Sequence, residues 1–471
     1  MSPPIPPDAA PSPAVAAPRA ATDRLPRSIA FLAWNEAAER FSYYGMTSIL
    51  ALHLVRHLRL PEHAAVAWYQ LFTAAVYLLP IAGAWIADRA WGRYRTILWL
   101  SLGYVAGHAV LAVTDGGWGL AAGLALIAVG AGGIKPCASA FAGDQIDPGA
   151  PRLLARVYDL YYWMINLGST ASTLLIPWLY ERWGGPVAFG APAVAMALAL
   201  AVFLAGRRRY VRLPPAGATG HGLLRVLASA LRRRAARRPG RGWLDGARLD
   251  HGEEAVAAVA ALGRIAEVFA AVAAFWALFF QYGSSWTLQA ERMRRDLLGH
   301  VFPAGQVQTL DAVLVLLLIP AFSLGLYPAL ARRGLRMTAL GKMTAGMFVM
   351  VLSFAAAAGV ERALEAGLAP HVAWQLPQYL LLAIGEVLVS VTALEFAYGE
   401  APPSMKSAVM GLWYLTISAG SLLTALVAAL DRFRGVAYFA FFAVLMLAAA
   451  LAFARIAARY RPAALRPRDA G

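Results

Sequence analysis

In the stretch Asn35-Glu36-Ala37-Ala38-Glu39-Arg40-Phe41-Ser42-Tyr43-Tyr44-Gly45, two carboxylates and a guanidinium stand at i, i+3 and i+4. That spacing puts Glu36, Glu39 and Arg40 on one helical face. One Arg neutralises one carboxylate, so the second has reason to bind a proton and release it when its surroundings change. This is chemistry for a carrier coupled to protons; a static ion cluster is the competing reading. A second signal is Gly130-Ala131-Gly132-Gly133-Ile134-Lys135-Pro136, followed by Phe141-Ala142-Gly143-Asp144-Gln145. It is not a phosphate loop, which needs Gly directly before the Lys and a hydroxyl residue after it. Only Lys135, Lys342 and Lys406 are lysines among 42 basic residues. A compact ammonium suits reversible pairing with a carboxylate, on the protein or on a substrate, better than a guanidinium does.

Amides are just as sparse: the chain has two asparagines, Asn35 and Asn166. A buried amide offers a donor and an acceptor either to a polar ligand or to another helix. In the second half Asp311, Glu386 and Glu395 fall in apolar stretches, and Trp276 lies in the aromatic run Phe275 to Phe280. His108 is isolated in an apolar stretch and reads as structural. No nucleophile–base–orienter pattern and no HExxH occurs, so no catalytic residues are expected and the chain does not read as an enzyme. Cys137 is the single cysteine, and no Cys/His cluster has zinc-site spacing, so neither disulfide nor metal is expected.

The elements that must hold these groups follow from composition. Of 471 residues, 60% are hydrophobic and 14% charged, against about 25% charged in soluble domains; mean hydropathy is +0.57. Twelve apolar stretches, near 29–55, 65–88, 93–114, 117–140, 156–179, 186–206, 263–290, 304–331, 337–358, 371–400, 406–430 and 435–458, are long enough to cross a bilayer as helices. Helices satisfy their own backbone hydrogen bonds in lipid, and the alternation of a barrel is absent. An ionisable group inside such a span is costly unless it meets a partner or a wet cavity, which makes each one a functional candidate.

Residues 1–28 are rich in Pro and Ala and read as a disordered cytoplasmic tail; 459–471 reads as a second cytoplasmic tail. Between two six-helix halves, 29–206 and 263–458, lies a basic linker, 207–262. Counted through Arg264 it carries thirteen arginines against four acids, +9 of the total +16. The positive-inside rule places it, and with it both termini, in the cytoplasm. Basic loops after spans two (Arg89, Arg93, Arg95) and eight (Arg332, Arg333, Arg336) agree; Arg292, Arg294 and Arg295 conflict, partly offset by Glu291 and Asp296. The linker's charge fits anionic lipid headgroups; without aromatic interleaving it does not read as a nucleic-acid site.

These motifs carry a family resemblance. The chain resembles the proton-dependent oligopeptide transporter family of the major facilitator superfamily through ExxERFxYYG at Glu36 to Gly45, GGIKP at Gly132 to Pro136 and FxGDQ at Phe141 to Gln145. Further matching stretches are INLGS at 165–169, FWALF at 275–279, GSSWTLQA at 283–290 and the run 374–407, and GAWIADRAWGRYR at 83–95 is similar to the superfamily's loop motif between spans two and three.

The resemblance implies an all-α integral membrane fold of two six-helix bundles around a midplane cavity. It also implies proton-driven import of di- and tripeptides by alternating access, with the proton as coupling ion and no cofactor. Glu36, Glu39, Arg40 and Lys135 would link protonation to gating, with Lys135 also on the cationic side of the cavity. Asn166 and Glu386 would receive the peptide's amino end, and Tyr44, Tyr77 and Trp276 would line the cavity.

Four positions depart from the family pattern. Thr47 stands where Arg is frequent, Gln70 and Phe280 where mammalian members carry His and Asp, and Asp311 where Asn is usual. Asp311 thereby adds an acid near the amino-end pocket. Alternatives within this reading are a relative carrying nitrate or another small metabolite, and a membrane peptide sensor. A monomer in the inner (plasma) membrane, surrounded by lipid, is expected.

Overall fold

The computed structural model describes residues 24–460 apart from 148, 216–222, 237–241, 298, 336 and 403–404. Most of the two expected tails, together with Arg237, Arg238, Arg241 and Arg336, lies outside the described residues. Helices dominate: α1 (Arg27–Arg56), α2 (Glu62–Ile86), α3 (Gly92–Val113), α4 (Gly117–Gly143) and α5 (Pro151–Ala205) build the first half. The linker holds α6 (Leu223–Arg232). The second half comprises α7 (Glu253–Phe279), α8 (Ser285–Glu291), α9 (Thr309–Pro320), α10 (Tyr327–Arg332), α11 (Ala339–Glu365), α12 (Leu376–Glu386), α13 (Thr392–Glu400), α14 (Lys406–Ala429) and α15 (Gly435–Arg459). A two-residue hairpin, β1 (Asp296–Leu297) with β2 (His300–Val301), is the strand structure among the described residues.

Nine continuous helical stretches among the described residues are apolar and long enough to cross a membrane. Two of them, Glu62–Val113 and Pro151–Ala205, turn at Gly92 (φ 73°) and Gly184 (φ 78°), a left-handed conformation that only glycine adopts at little cost. Each therefore supplies two crossings. The thirty-residue α1 is the twelfth, its polarity raised by Glu36, Glu39 and Arg40. Each of the twelve expected spans thus coincides with a helix. The seventh starts at Glu253, earlier than the expected 263, inside the interval read as linker. Ala255 to Val259 is apolar enough to continue the helix, and Val256, Ala258 and Val259 are buried against Val226 and Ala230 of α6.

Within the first half α1 packs on α5, and α4 on α2 and α3; within the second, α7 packs on α14 and α15, and α11 on α12 and α15. Helices α2 and α14 join the halves. In the linker the Asp250 carboxylate accepts from Arg233 (2.5 and 2.6 Å) and from Ser229 Oγ (2.5 Å). These bonds, Arg233 first, pull its pKa down to about 2, so it stays ionised at neutral pH.

Close approach of backbones positions α1. A Cβ on Gly168 of α5 would lie 2.2 Å from the Ala37 carbonyl oxygen and 3.2 Å from Arg40 Cβ. Gly168→Ala should therefore force α5 off the acidic stretch of α1, at the ~1–3 kcal/mol typical of overpacking. The thermal midpoint of the purified variant is expected to fall by several degrees; an unchanged midpoint would show that the helices separate freely there.

Candidate functional site

Along α1, Glu36 and Glu39 are buried and Arg40 is nearly so. The Arg40 Nε–H donates to Glu36 Oε1 at 2.9 Å, and the same nitrogen lies 2.8 Å from Glu39 Oε2. With that Nε–H given to Glu36, Glu39 is held by close charge at 0% exposure, with the Tyr104 phenol beside it. Lys135 of α4 comes into electrostatic reach of both acids and of Arg40, yet forms no ion pair with them. Its ammonium sits over the Tyr43 and Tyr77 rings, 4.3 and 5.1 Å from their centroids. Cation–π contact of this kind holds a cation without neutralising it. The arrangement is two acids, one shared guanidinium and one uncommitted ammonium.

Beyond Tyr44 and Tyr77 lies a cavity of about 300 Å³ between the halves. It brings together six of the expected substrate-site residues: Tyr44, Tyr77, Asn166, Trp276, Asp311 and Glu386. Lys135 is not among the residues that line it; its ammonium lies over the Tyr77 ring. Glu386 and Asp311, on the packed helices α12 and α9, face one another closely enough to interact, and Glu386 Oε2 and Asp311 Oδ1 are buried without hydrogen-bond partners. The Asn166 amide donates to Tyr162 O in its own helix at 2.8 Å, and its side chain also meets the Tyr162 phenol. Trp276 stacks on Phe280 (5.6 Å, 27°) and meets Trp413 edge-on (5.4 Å). No Lys or Arg is among the described residues on this wall.

Other sequence candidates serve packing. Asn35 Nδ2 donates to Ala199 O of α5 at 3.1 Å, a helix-to-helix bond. His108 is enclosed with both ring nitrogens unpartnered and Tyr104 5.0 Å away. Glu395 is exposed on α13, off the cavity. The two positions that lack the mammalian His and Asp are neighbours: Gln70 Nε2 donates to Phe280 O (3.1 Å) and Ser284 Oγ (3.0 Å) across the halves. A neutral amide there replaces a titratable pair with a fixed tie.

Sequence reasoning missed the residues that bind the halves to each other away from the linker. Arg56 pairs with Glu181 (2.6 Å) in its own half and with Glu291 in the other, its Nε donating at 3.0 Å. Gln308 Nε2 donates to Ser48 O (3.3 Å), Thr309 Oγ1 to Thr173 Oγ1 (2.9 Å), and His63 stands 3.4 Å from Asp431. Arg56 reads in sequence only as a helix-end arginine, since its partner is 235 residues away. The arginines that conflicted with the charge rule are spoken for here: Arg292 pairs with Glu361 (2.9 Å), Arg295 with Glu291 (3.2 Å), and Arg294 donates to Ala369 O (3.0 Å). At the opposite end Tyr158 of α5 and Tyr398 of α13 come near each other, 45% and 38% exposed.

Comparison with known proteins agrees with this architecture. Residues 94–433 match the model of the POT family. Peptide transporter family 1 of Drosophila melanogaster is 42% identical over 358 residues, covering 72% of this chain and 48% of that protein. Solute carrier family 15 member 2 of Danio rerio is 37% identical over 364 residues, covering 73% and 51%. The chain spans about half the length of these curated relatives. The crystal structure of an auto-inhibited POT family peptide transporter superimposes with a TM-score of 0.88 at 38% identity, over 94% of this chain and 99% of that one. With the family model spanning the chain from α3 through α14, and the fold shared over 94% of the chain, this multi-pass membrane protein belongs to the POT family, in the major facilitator architecture.

Proposed function

We propose that the chain is a proton-coupled importer of di- and tripeptides that works by alternating access. The observation that carries this reading is the polarity of the cleft. Glu386 and Asp311 line the cleft without a cation, and Tyr44 and Tyr77, which also line it, have Arg40 and Lys135 close by. A zwitterion held across that gap has its ammonium on the acids and its carboxylate toward the cations. Neutral rings between the ends, among them Trp276 and Phe280, tolerate varied side chains. Nitrate, the alternative substrate, would face two carboxylates and no lining cation.

Coupling follows from the shared guanidinium. With Glu36 and Glu39 both charged, Arg40 is occupied by them. A proton on one of the two acids loosens that hold and lets Arg40 and Lys135 turn to the peptide carboxylate. The basic linker supports a cytoplasmic position for its own end of the molecule and for both termini. Arg56–Glu291 and the neighbouring contacts then tie the halves at the outer end.

Competition with uptake of labelled dialanine into proteoliposomes under an imposed pH gradient tests the reading. N-acetyl-dialanine, without the ammonium, is expected to compete at least about tenfold more weakly, the loss of one charge-assisted contact of ~1.4 kcal/mol. Equal competition by both compounds would remove Glu386 as the amino-end anchor, and absence of dialanine uptake would remove the peptide reading.

A further inference from the structure

A dipeptide's amino terminus brings one positive charge to a wall that carries two carboxylates. Glu386 and Asp311 project from adjacent helices, each with a buried oxygen that nothing satisfies. Asp311 is 8% exposed, lines the cavity, and has no cation acting on it among the described residues. The titratable groups that face the pair are phenols, which are neutral at physiological pH: Tyr44 of α1, Tyr162 of α5, Tyr282 of the turn after α7 and Tyr379 of α12. Arg40 acts on Tyr44 but on neither acid. A buried carboxylate without a counter-charge is costly, and the cost is relieved by a ligand that carries a cation to it.

We propose that Asp311 makes this cavity select peptides with a dicationic amino end, meaning those whose first residue has a positively charged side chain. The proposal rests on the peptide reading given above. The α-ammonium meets Glu386, and the side-chain cation of residue one, on a flexible stem, meets Asp311. The same side chain on the second residue points toward Arg40 and Lys135, where it is repelled. Sequence isomers therefore bind differently although composition and net charge are identical.

The experiment compares Lys-Ala, Ala-Lys and Ala-Ala as competitors of labelled dialanine uptake in proteoliposomes of the full chain. Lys-Ala is expected to inhibit half-maximally at about a tenfold lower concentration than Ala-Lys, a difference of ~1.4 kcal/mol. Asp311→Asn should weaken Lys-Ala and bring the two isomers to within about twofold of each other. Equal inhibition by the isomers in the wild type overturns the proposal while leaving the peptide reading intact. An undiminished gap in Asp311→Asn overturns it too, and if that variant fails to fold, the wild-type ratio still decides. Absence of dialanine uptake brings down the peptide reading, and this proposal with it.

Discussion

Proteoliposomes carrying Glu36→Gln and Glu39→Gln together are expected to stop concentrating dialanine while still exchanging it downhill. One proton moved with each peptide supports about tenfold accumulation per pH unit, since 1.4 kcal/mol corresponds to a factor of ten. The double variant should bring that ratio to about one. The reason lies in the sharing of Arg40: its Nε–H reaches Glu36, and the same nitrogen lies 2.8 Å from the enclosed Glu39. A proton on either acid changes what the guanidinium is bound to, and amides at both positions remove the change. Gln70→Ala should leave accumulation in place, because Gln70 serves as a hydrogen-bond tie to Phe280 and Ser284. Accumulation by the double Glu variant with an unaltered pH profile would move the proton site elsewhere, with Asp311 the next to test by Asp311→Asn.

Lys135→Ala should also lose accumulation, its ratio falling from about ten to about one under one pH unit. The Lys135 ammonium is the cation near the cluster that no carboxylate holds directly, resting between the rings of Tyr43 and Tyr77. That position lets it move either to the acids or to a peptide carboxylate. Lys135→Arg should rescue poorly, because a planar, always-charged guanidinium stacks on rings and pairs in a fork rather than exchanging partners as a point charge. Wild-type accumulation in the alanine variant would show that Lys135 only reaches along the helix toward solvent.

Much of the first-half cluster was legible in one dimension because helical spacing alone puts Glu36, Glu39 and Arg40 together. The rarity of lysine singled out Lys135 for the same kind of reason: a membrane span tolerates few charges, so each one that is present is informative. Asn35 and Asn166 looked alike in sequence and separated only in three dimensions, one bonding α5 and the other lining the cavity. Lys135 was expected on the cavity wall and is instead taken up by the Tyr43 and Tyr77 rings, on a helix, α4, that packs against α2 and α3. Tyr162 and Trp413 carried no charge to mark them, yet both line the cavity.

By itself the sequence determined the number and approximate positions of the membrane helices, the basic charge of the interval before α7 and the acidic cluster of α1. All of these depend on hydropathy, on charge counts or on contacts within one or two turns, and such quantities are written along the chain. Tertiary structure alone decided that Glu386 and Asp311 share one wall, that Gln70 lies on Phe280, and that Arg56 crosses to Glu291 at the end away from the linker. These contacts join residues tens to hundreds of positions apart. Their partners are chosen by how rigid helices pack and by which faces the glycines let approach, and no local pattern encodes that choice.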